Sequence, residues 1–197
     1  MYKELFLGLV ARNLTRIADK NVTEIGPYAF SGYGGYSPFI SLTSAEFPNA
    51  TTIGRNAFNG CMYLEELNIP NVSGSIPAYA FAGLEYVELI ELPLATSLGQ
   101  RVFFNNFRLK KINLPSVTTI ENDSYIFQAV GDRRSDSDTD EYGNTFKTLI
   151  ILSSMSMSDL TGKSYFPFGA PTTTKFQCSD GYIIYDSVNS QWKSVST

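Results

Sequence analysis

Two groups of acidic residues and one pair of tyrosines are the places in this 197-residue chain where residue type and spacing could do chemistry. Glu65 and Glu88 fall at corresponding positions of neighbouring repeats. A carboxylate pair held about 5 to 9.5 Å apart is what glycoside hydrolysis requires. Carboxylates at ordinary strand spacing reach such separations by coincidence, so the pair reads as surface charge. Asp136, Asp138 and Asp140 alternate as the first ligands of a calcium loop do. Glu141 then stands where that loop needs glycine, and Lys147 where it needs glutamate, which removes the EF-hand and favours a solvated acidic loop. Tyr33 and Tyr36 lie in GYGGYSP at 32–38, where a glycine-rich backbone carries two amphipathic rings of the kind that paratopes use. Packing of those rings over their own loop is the competing reading.

Other chemistries are excluded by what the chain lacks. There is no histidine, which removes histidine-based triads and imidazole metal sites. No Gly-x-Ser-x-Gly elbow, phosphate loop or Cys-x-x-Cys pair occurs. Cys61 and Cys178 are the two cysteines, 117 positions apart, and are expected as free thiols with Cys61 buried. Nineteen acidic against 15 basic residues, a net charge of -4, leave no basic stripe for a phosphate backbone, so nucleic acid is not an expected partner. The expectation is a non-enzymatic protein with no cofactor and no metal beyond the weak aspartate candidates.

The elements that must position these residues repeat. The stretch LEELNIPNVSGSIPAYAF at 64–81 sets the pattern: Leu64, Leu67 and Ile69 on a strand, Pro70 closing it, then Val72, Ile76 and Ala80-Phe81. Coil two repeats it with Leu42, Ala45, Phe47, Pro48, Ala50, Ile53 and Ala57-Phe58, and coil four with Val87, Ile90, Leu92, Pro93, Ala95, Leu98 and Val102-Phe103. A degenerate first coil runs Leu14, Ile17, Val22, Ile25 and Ala29-Phe30, with Lys20 in the proline position. Coil five begins Leu109, Ile112, Leu114, Pro115, Val117 and Ile120, then blurs, with Tyr125 or Phe127 in the phenylalanine column. The prolines at 48, 70, 93 and 115 are 22, 23 and 22 residues apart, a period that marks a leucine-rich repeat solenoid of about five coils. Stacking should align Phe30, Phe58, Phe81 and Phe103 as one buried aromatic column.

The unit Leu-x-x-Ile-x-Leu-Pro, Ile-Gly, Ala-Phe and then Gly-Cys in NAFNGC at 56–61 resembles the BspA-like class of bacterial leucine-rich repeats over about residues 14–127. The resemblance implies an α/β-type solenoid, mostly β, right-handed, with a parallel sheet on one face and short 3₁₀ or irregular turns opposite. It further implies a surface-binding role, as in bacterial adhesins and in short phage- or prophage-encoded members, the latter being more similar. A virion or cell surface is then the expected location, and a protein or carbohydrate on a cell surface the expected partner. Asn106 in the Cys61 column and Lys20 in the proline column depart from the pattern.

The remaining segments read as caps and insertions on a single domain. Residues 1–13 place Tyr2, Leu5 and Leu9 at helical spacing and suggest an N-terminal capping helix. Glu4 and the want of a small-residue cleavage site argue against a leader there, and no window has the roughly 18 apolar residues of a membrane span, so no membrane insertion is expected. Residues 14–127 hold the repeats, 128–145 an acidic insertion, and 146–197 a last strand and C-terminal cap. The echo strand places Phe146, Leu149 and Ile151 in the core columns, Phe166 and Phe168 over the open end, and a terminal hairpin around SVNSQ with Trp192 as plug.

From each Ala-Phe phenylalanine to the next strand the regular step is six residues, but Phe30 to Leu42 takes 12 and Phe127 to Phe146 takes 19. Both insertions leave at the strand-start corner, about 19 Å apart at ~4.8 Å per strand. Outward columns on the strands read Glu46, Asn68, Glu91, Asn113 and Ser44, Glu66, Leu89, Lys111, a polar and locally acidic face that can bind a cationic or carbohydrate ligand, a merely solvated face being the commoner outcome for such columns. Tyr33, Tyr36, Glu46, Glu66, Asn68 and Glu91 are the candidate binding residues. Asn-x-Ser/Thr triplets at Asn13, Asn21, Asn49, Asn71 and Asn122 arise from the repeat and carry no functional reading. The exposed flank of the last coil could pair two copies.

Overall fold

The computed structural model describes residues 14–32, 41–121, 125–131, 138–139, 145–162, 164, 166–167, 170–186 and 189–196. Each Leu-x-x-Leu-x-Leu segment forms a three-residue strand whose middle side chain faces inward: β1 (Arg16–Ala18), β3 (Ser44–Glu46), β5 (Glu66–Asn68), β7 (Leu89–Glu91) and β9 (Lys111–Asn113). After the closing turn a second strand follows in each coil: β2 (Glu24–Ile25), β4 (Thr52–Ile53), β6 (Ser73–Ile76), β8 (Leu94–Leu98) and β10 (Thr119–Ile120). Two parallel layers result, with the core between them. Phe30, Phe58, Phe81, Phe103 and Phe127 stack in register at 5.0, 6.2, 6.1 and 5.8 Å between centroids, none of their planes more than 15° apart. Phe127, not Tyr125, completes the column.

Backbone bonds lock that corner. Phe30, Phe58, Phe81 and Phe103 each donate an N–H to the next coil, at Ala57 O, Ala80 O, Val102 O and Ile126 O, over 2.7 to 3.1 Å. The tight turn forces left-handed backbone two residues before the phenylalanine, at Tyr28, Asn56, Tyr79 and Arg101, with φ between 53° and 60°. Such conformations cost a non-glycine residue on the order of 1 to 2 kcal/mol, so their recurrence in one column shows the stack imposing them. Beside them, the Cys61 thiol donates to Phe30 O at 2.8 Å, and Asn106 Nδ2 donates to Phe81 O at 2.9 Å while its Oδ1 accepts from Leu84 N–H at 2.8 Å. Asn106 therefore replaces one weak thiol bond with two strong ones in a fully buried position.

Beyond coil five the structure departs from expectation. β11 (Asp138–Thr139) and β12 (Thr145–Phe146) form an antiparallel hairpin, so Asp138 lies on a strand. β13 (Thr148–Leu152) then stacks parallel on β9, pairing Leu149 with Lys111 and Ile151 with Asn113. That register buries Thr148, Ile150 and Leu152 and turns Leu149 and Ile151 outward, one residue out of the expected phase. Thr148 is tolerated inside because its hydroxyl donates to Leu109 O at 2.8 Å. A helix α1 (Met157–Thr161), N-capped by Ser156, leads to β14 (Thr174–Cys178), parallel to β13, and to the hairpin β15 (Gly181–Asp186) and β16 (Gln191–Ser196). The terminal hairpin is as expected, and it extends the sheet while Trp192 packs on Phe166 and Phe176 at 5.7 and 5.8 Å to plug the core. Phe168 and the expected N-terminal helix at residues 1–13 lie outside the described residues. Among the described residues α1 is the one α-helix, so the solenoid is β with turns and not of a mixed α/β kind.

The sheet of strand-one elements is not continuous. Its order is β1-β3-β5 and then, separately, β7-β9-β13-β14-β15-β16. The residue after each strand normally donates to the next coil, as Phe47 N–H to Asn68 O at 2.9 Å and Leu92 N–H to Asn113 O at 3.0 Å. Ile69 makes no such bond to Glu91 O. A side-chain ladder lapses at the same level. Asn49 donates to Lys20 O, Asn71 to Pro48 O, Ser116 to Pro93 O and Ser154 to Pro115 O, all within 2.6 to 2.8 Å. Leu94, in that column for coil four, has no donor to offer Pro70 O. Coil three also holds six steps from Pro70 to Ile76 where its neighbours hold five, an excess taken up by Gly74 at φ 73° and a register shift between β6 and β8.

Four measurements test these assignments. Phe81→Ala should cost on the order of 3 to 5 kcal/mol in denaturant unfolding, because transfer and cavity losses add in a filled column; an unchanged midpoint would remove the column from the core. Leu94 is 46% exposed, so Leu94→Asn loses little burial and should add about 0.5 to 1.5 kcal/mol by restoring the rung to Pro70 O. A lowered midpoint would show that the lapse has another origin. Burial pushes both thiols up to about 12, aided at Cys178 by the carboxylates of Asp180 and Asp159. The unfolded thiols ionise near 9.0 while the native ones keep their protons, so stability should fall as pH rises from 9 toward 12. At pH 8 a disulfide reagent should titrate neither thiol in the native protein and both in denaturant.

Candidate functional site

The parted sheet opens a groove of about 400 Å³ on the outward face. It is lined by Ser44 and Glu46 of β3, Glu66, Leu67 and Asn68 of β5 with Ile69 and Pro70 after it, and Leu89 and Glu91 of β7. Strand geometry places these side chains: alternate residues point outward, and the register sets Glu46 beside Asn68 and Ser44 beside Glu66. Asn68 Nδ2 donates to Glu46 Oε1 at 3.3 Å. Arg16 of β1 reaches across the stack to Glu66 at 3.9 Å, with both side chains about 70% exposed, so the contact contributes at most about 1 kcal/mol. Four carboxylates, those of Glu46, Glu65, Glu66 and Glu91, thus face one guanidinium around the groove.

A second groove of about 300 Å³ lies at the strand-start corner, lined by Glu65, Tyr86, Glu88, Leu89 and Arg108. Glu65 and Leu89 line both, so one trough runs from the corner along the seam. Tyr63 and Tyr86 pack at 5.5 Å with their planes tilted by 36°, and the Arg108 guanidinium sits 5.1 Å over Tyr86. These three precede the first core residue of consecutive strands, which is the signal that reasoning from core columns overlooked. On the other side of the turn, Arg101 stacks on Tyr125 at 4.7 Å and donates to Tyr79 Oη at 2.8 Å, a stitch between coils in place of a binding surface.

Of the residues singled out from sequence, Glu46, Glu66, Asn68 and Glu91 are brought together on one groove, and Asn113 and Lys111 sit farther along the face. Tyr33, Tyr36, Asp136 and Asp140 lie outside the described residues. Asp138 is on β11, and among the described residues no group of three or more acidic or cysteine side chains could hold a metal ion. Glu65 and Glu88 share the corner groove, but Glu88 is held by Lys110 at 2.9 Å, and the groove is open to solvent. Asn49 and Asn71, first residues of two of the Asn-x-Ser/Thr triplets, are rungs of the ladder between coils. No helix among the described residues is long and apolar enough to cross a membrane.

No curated protein matches the chain significantly. Two solved structures are similar to it. One is the pneumococcal vaccine antigen PcpA, 15% identical, with a TM-score of 0.48 over 84% of this chain and 42% of that one. The other is a leucine-rich cell surface protein from Faecalibacterium prausnitzii A2-165, 19% identical, with a TM-score of 0.41 over 91% of this chain and 53% of that one. The chain spans about half the length of each. A family profile described as a BspA type leucine rich repeat region (6 copies) matches residues 11–130, more than half of the sequence and the same coils that build the grooved sheet. The chain belongs to the BspA-type leucine-rich repeat family.

Proposed function

We propose that the chain is a non-enzymatic binding module that holds a ligand displayed on a cell surface, protein or carbohydrate, against the acidic face of its sheet. The observation that carries this reading is the trough itself. It gathers Glu46, Glu66, Asn68 and Glu91 around a seam where the repeat bonding lapses, and exposes Leu89 at its centre. Solvent-facing columns elsewhere in a solenoid serve solubility; here they converge on a concavity, as binding sites do. Catalysis is disfavoured because the trough is shallow and open and its nearest carboxylate pair is compromised by the bond from Lys110 to Glu88. The tyrosines of the 32–38 insertion, Tyr33 and Tyr36, are assigned to the same ligand as secondary contacts. Two settings suit such a module: a phage or prophage particle touching its host, and a bacterial surface presenting an adhesin. The groove chemistry is common to both, and the flanking genes distinguish them.

The reading is tested on an array of glycans and cell-envelope components probed with the wild type, with a Glu46→Gln/Glu91→Gln variant and with a Tyr33→Ser/Tyr36→Ser variant. A ligand held by the wild type should bind the carboxamide variant at least about tenfold more weakly, with an unchanged unfolding midpoint. Equal binding by the wild type and the carboxamide variant would remove the sheet face from recognition. Turnover of any polysaccharide that disappears on neutralising Glu65 or Glu88 would overturn the non-enzymatic assignment.

A further inference from the structure

We infer that coil three is a joint at which the coils before it and the coils after it turn as two stiffer bodies. Its bonding lapses toward each neighbour, on a different sheet each time. Toward coil four the lapse is in the first sheet. Thr15 O, Thr43 O and Glu88 O each accept two amides from the following coil, such as those of Glu65 and Glu66 on Thr43 O at 2.9 and 3.1 Å. Among the described residues Glu65 O, their counterpart in coil three, accepts none, and the bond from Ile69 N–H to Glu91 O is missing as well. Toward coil two the lapse is in the second sheet, where β4 and β6 share no ladder. Gly54, Gly99 and Glu121 each donate an N–H to the preceding coil, at Ile25 O, Ile76 O and Leu98 O, over 2.7 to 3.0 Å. Coil three has Pro77 at that position, and proline carries no N–H to give to Ile53 O.

The two lapses lie diagonally across the core. Coil three is tied to coil two through β3 and β5, and to coil four through β6 and β8. The phenylalanine corner runs unbroken through both interfaces, with Phe58 N–H on Ala80 O at 3.0 Å and Phe81 N–H on Val102 O at 3.1 Å. Even there the rings on either side of Phe81 are the widest spaced, at 6.2 and 6.1 Å against 5.0 and 5.8 Å elsewhere in the column. The stability of a solenoid is approximately a sum over coils and nearest-neighbour interfaces, so two weakened interfaces around one coil concentrate compliance in it. A corner that holds while the sheets release on either side is a hinge. Ser44 and Glu46 line the trough from coil two, and Leu89 and Glu91 from coil four, so turning at coil three changes the separation of its carboxylates. That consequence for recognition rests on the trough being the binding site; the joint stands without it.

Native-state hydrogen exchange on the intact chain tests the joint at three equivalent amides: Thr51 on Thr23 O, Ser73 on Thr51 O and Thr118 on Thr96 O, bonded at 2.9, 3.0 and 3.0 Å. With uniform interfaces the ends fray first and Ser73, in the middle, is the best protected. The joint reverses that order, and Ser73 should be at least about tenfold less protected than both Thr51 and Thr118. Equal or greater protection of Ser73 would overturn it. Pro77→Ala/Leu94→Asn returns one donor to each lapse and should raise the protection of Ser73 at least about tenfold while Thr118 stays within about twofold. No change at Ser73, or an equal rise at all three amides, would overturn the assignment of the joint to these missing bonds. Spin labels on the otherwise unaltered chain give a second measure. The exposed pair Thr23→Cys/Thr118→Cys spans the joint and should show a broader distance distribution than Thr96→Cys/Ser194→Cys, which lies within the later body. The native Cys61 and Cys178 are buried and escape labelling. Equal widths for the two pairs would overturn the joint.

Discussion

Every part of this molecule depends on one constraint: a coil of about 22 residues cannot bury its own apolar face, so each must lie on its neighbours in register. The phenylalanine corner is where that register is enforced. Ring stacks 5.0 to 6.2 Å apart fill the core, and the same residues donate their backbone N–H to the next coil. The chain accepts left-handed tyrosine and arginine in the turn because leaving that corner unpaired would cost more than the strain. In that corner Cys61 and Asn106 bond the corresponding carbonyls of Phe30 and Phe81, while Leu84 and Val130 fill the same position in coils three and five by packing alone.

Because the corner holds the stack, the opposite edge is free to vary. The Asn and Ser rungs reinforce coils one to three and four to the last, and Leu94 interrupts them at one level only. The sheet parts at that level, while Phe58, Phe81 and Phe103 remain stacked behind it. A local loss of cohesion thus becomes a surface feature without endangering the core.

The electrostatic character of the trough follows from the same alternation that builds the core. Inward residues of β3, β5 and β7 are aliphatic, and of the six residues that flank them three, Glu46, Glu66 and Glu91, are carboxylates. Coil five carries Lys111 and Asn113 at the corresponding positions, so the acidic zone has an end as well as a centre. This patterning gives the face a polarity along the solenoid axis that a uniformly solvated surface would lack.

The period, the core columns and the outward identity of Glu46, Glu66, Asn68 and Glu91 were legible in the residues alone, because a two-residue alternation inside a 22-residue repeat leaves few ways to bury the leucines. The terminal hairpin and the plugging Trp192 were legible for a similar reason. The phase of β13 was not: after a long insertion nothing local counts residues, and Thr148 could be buried only because Leu109 O was there to receive its hydroxyl. Nor was the seam legible. Leu94 reads as one more apolar residue until the stack shows which carbonyl it leaves without a donor, and only the folded chain shows that four carboxylates line one groove. Sequence periodicity determined which residues face in and which face out; only the tertiary structure decided where adjacent coils hold together and where they part, because bonds between coils join residues more than 20 positions apart.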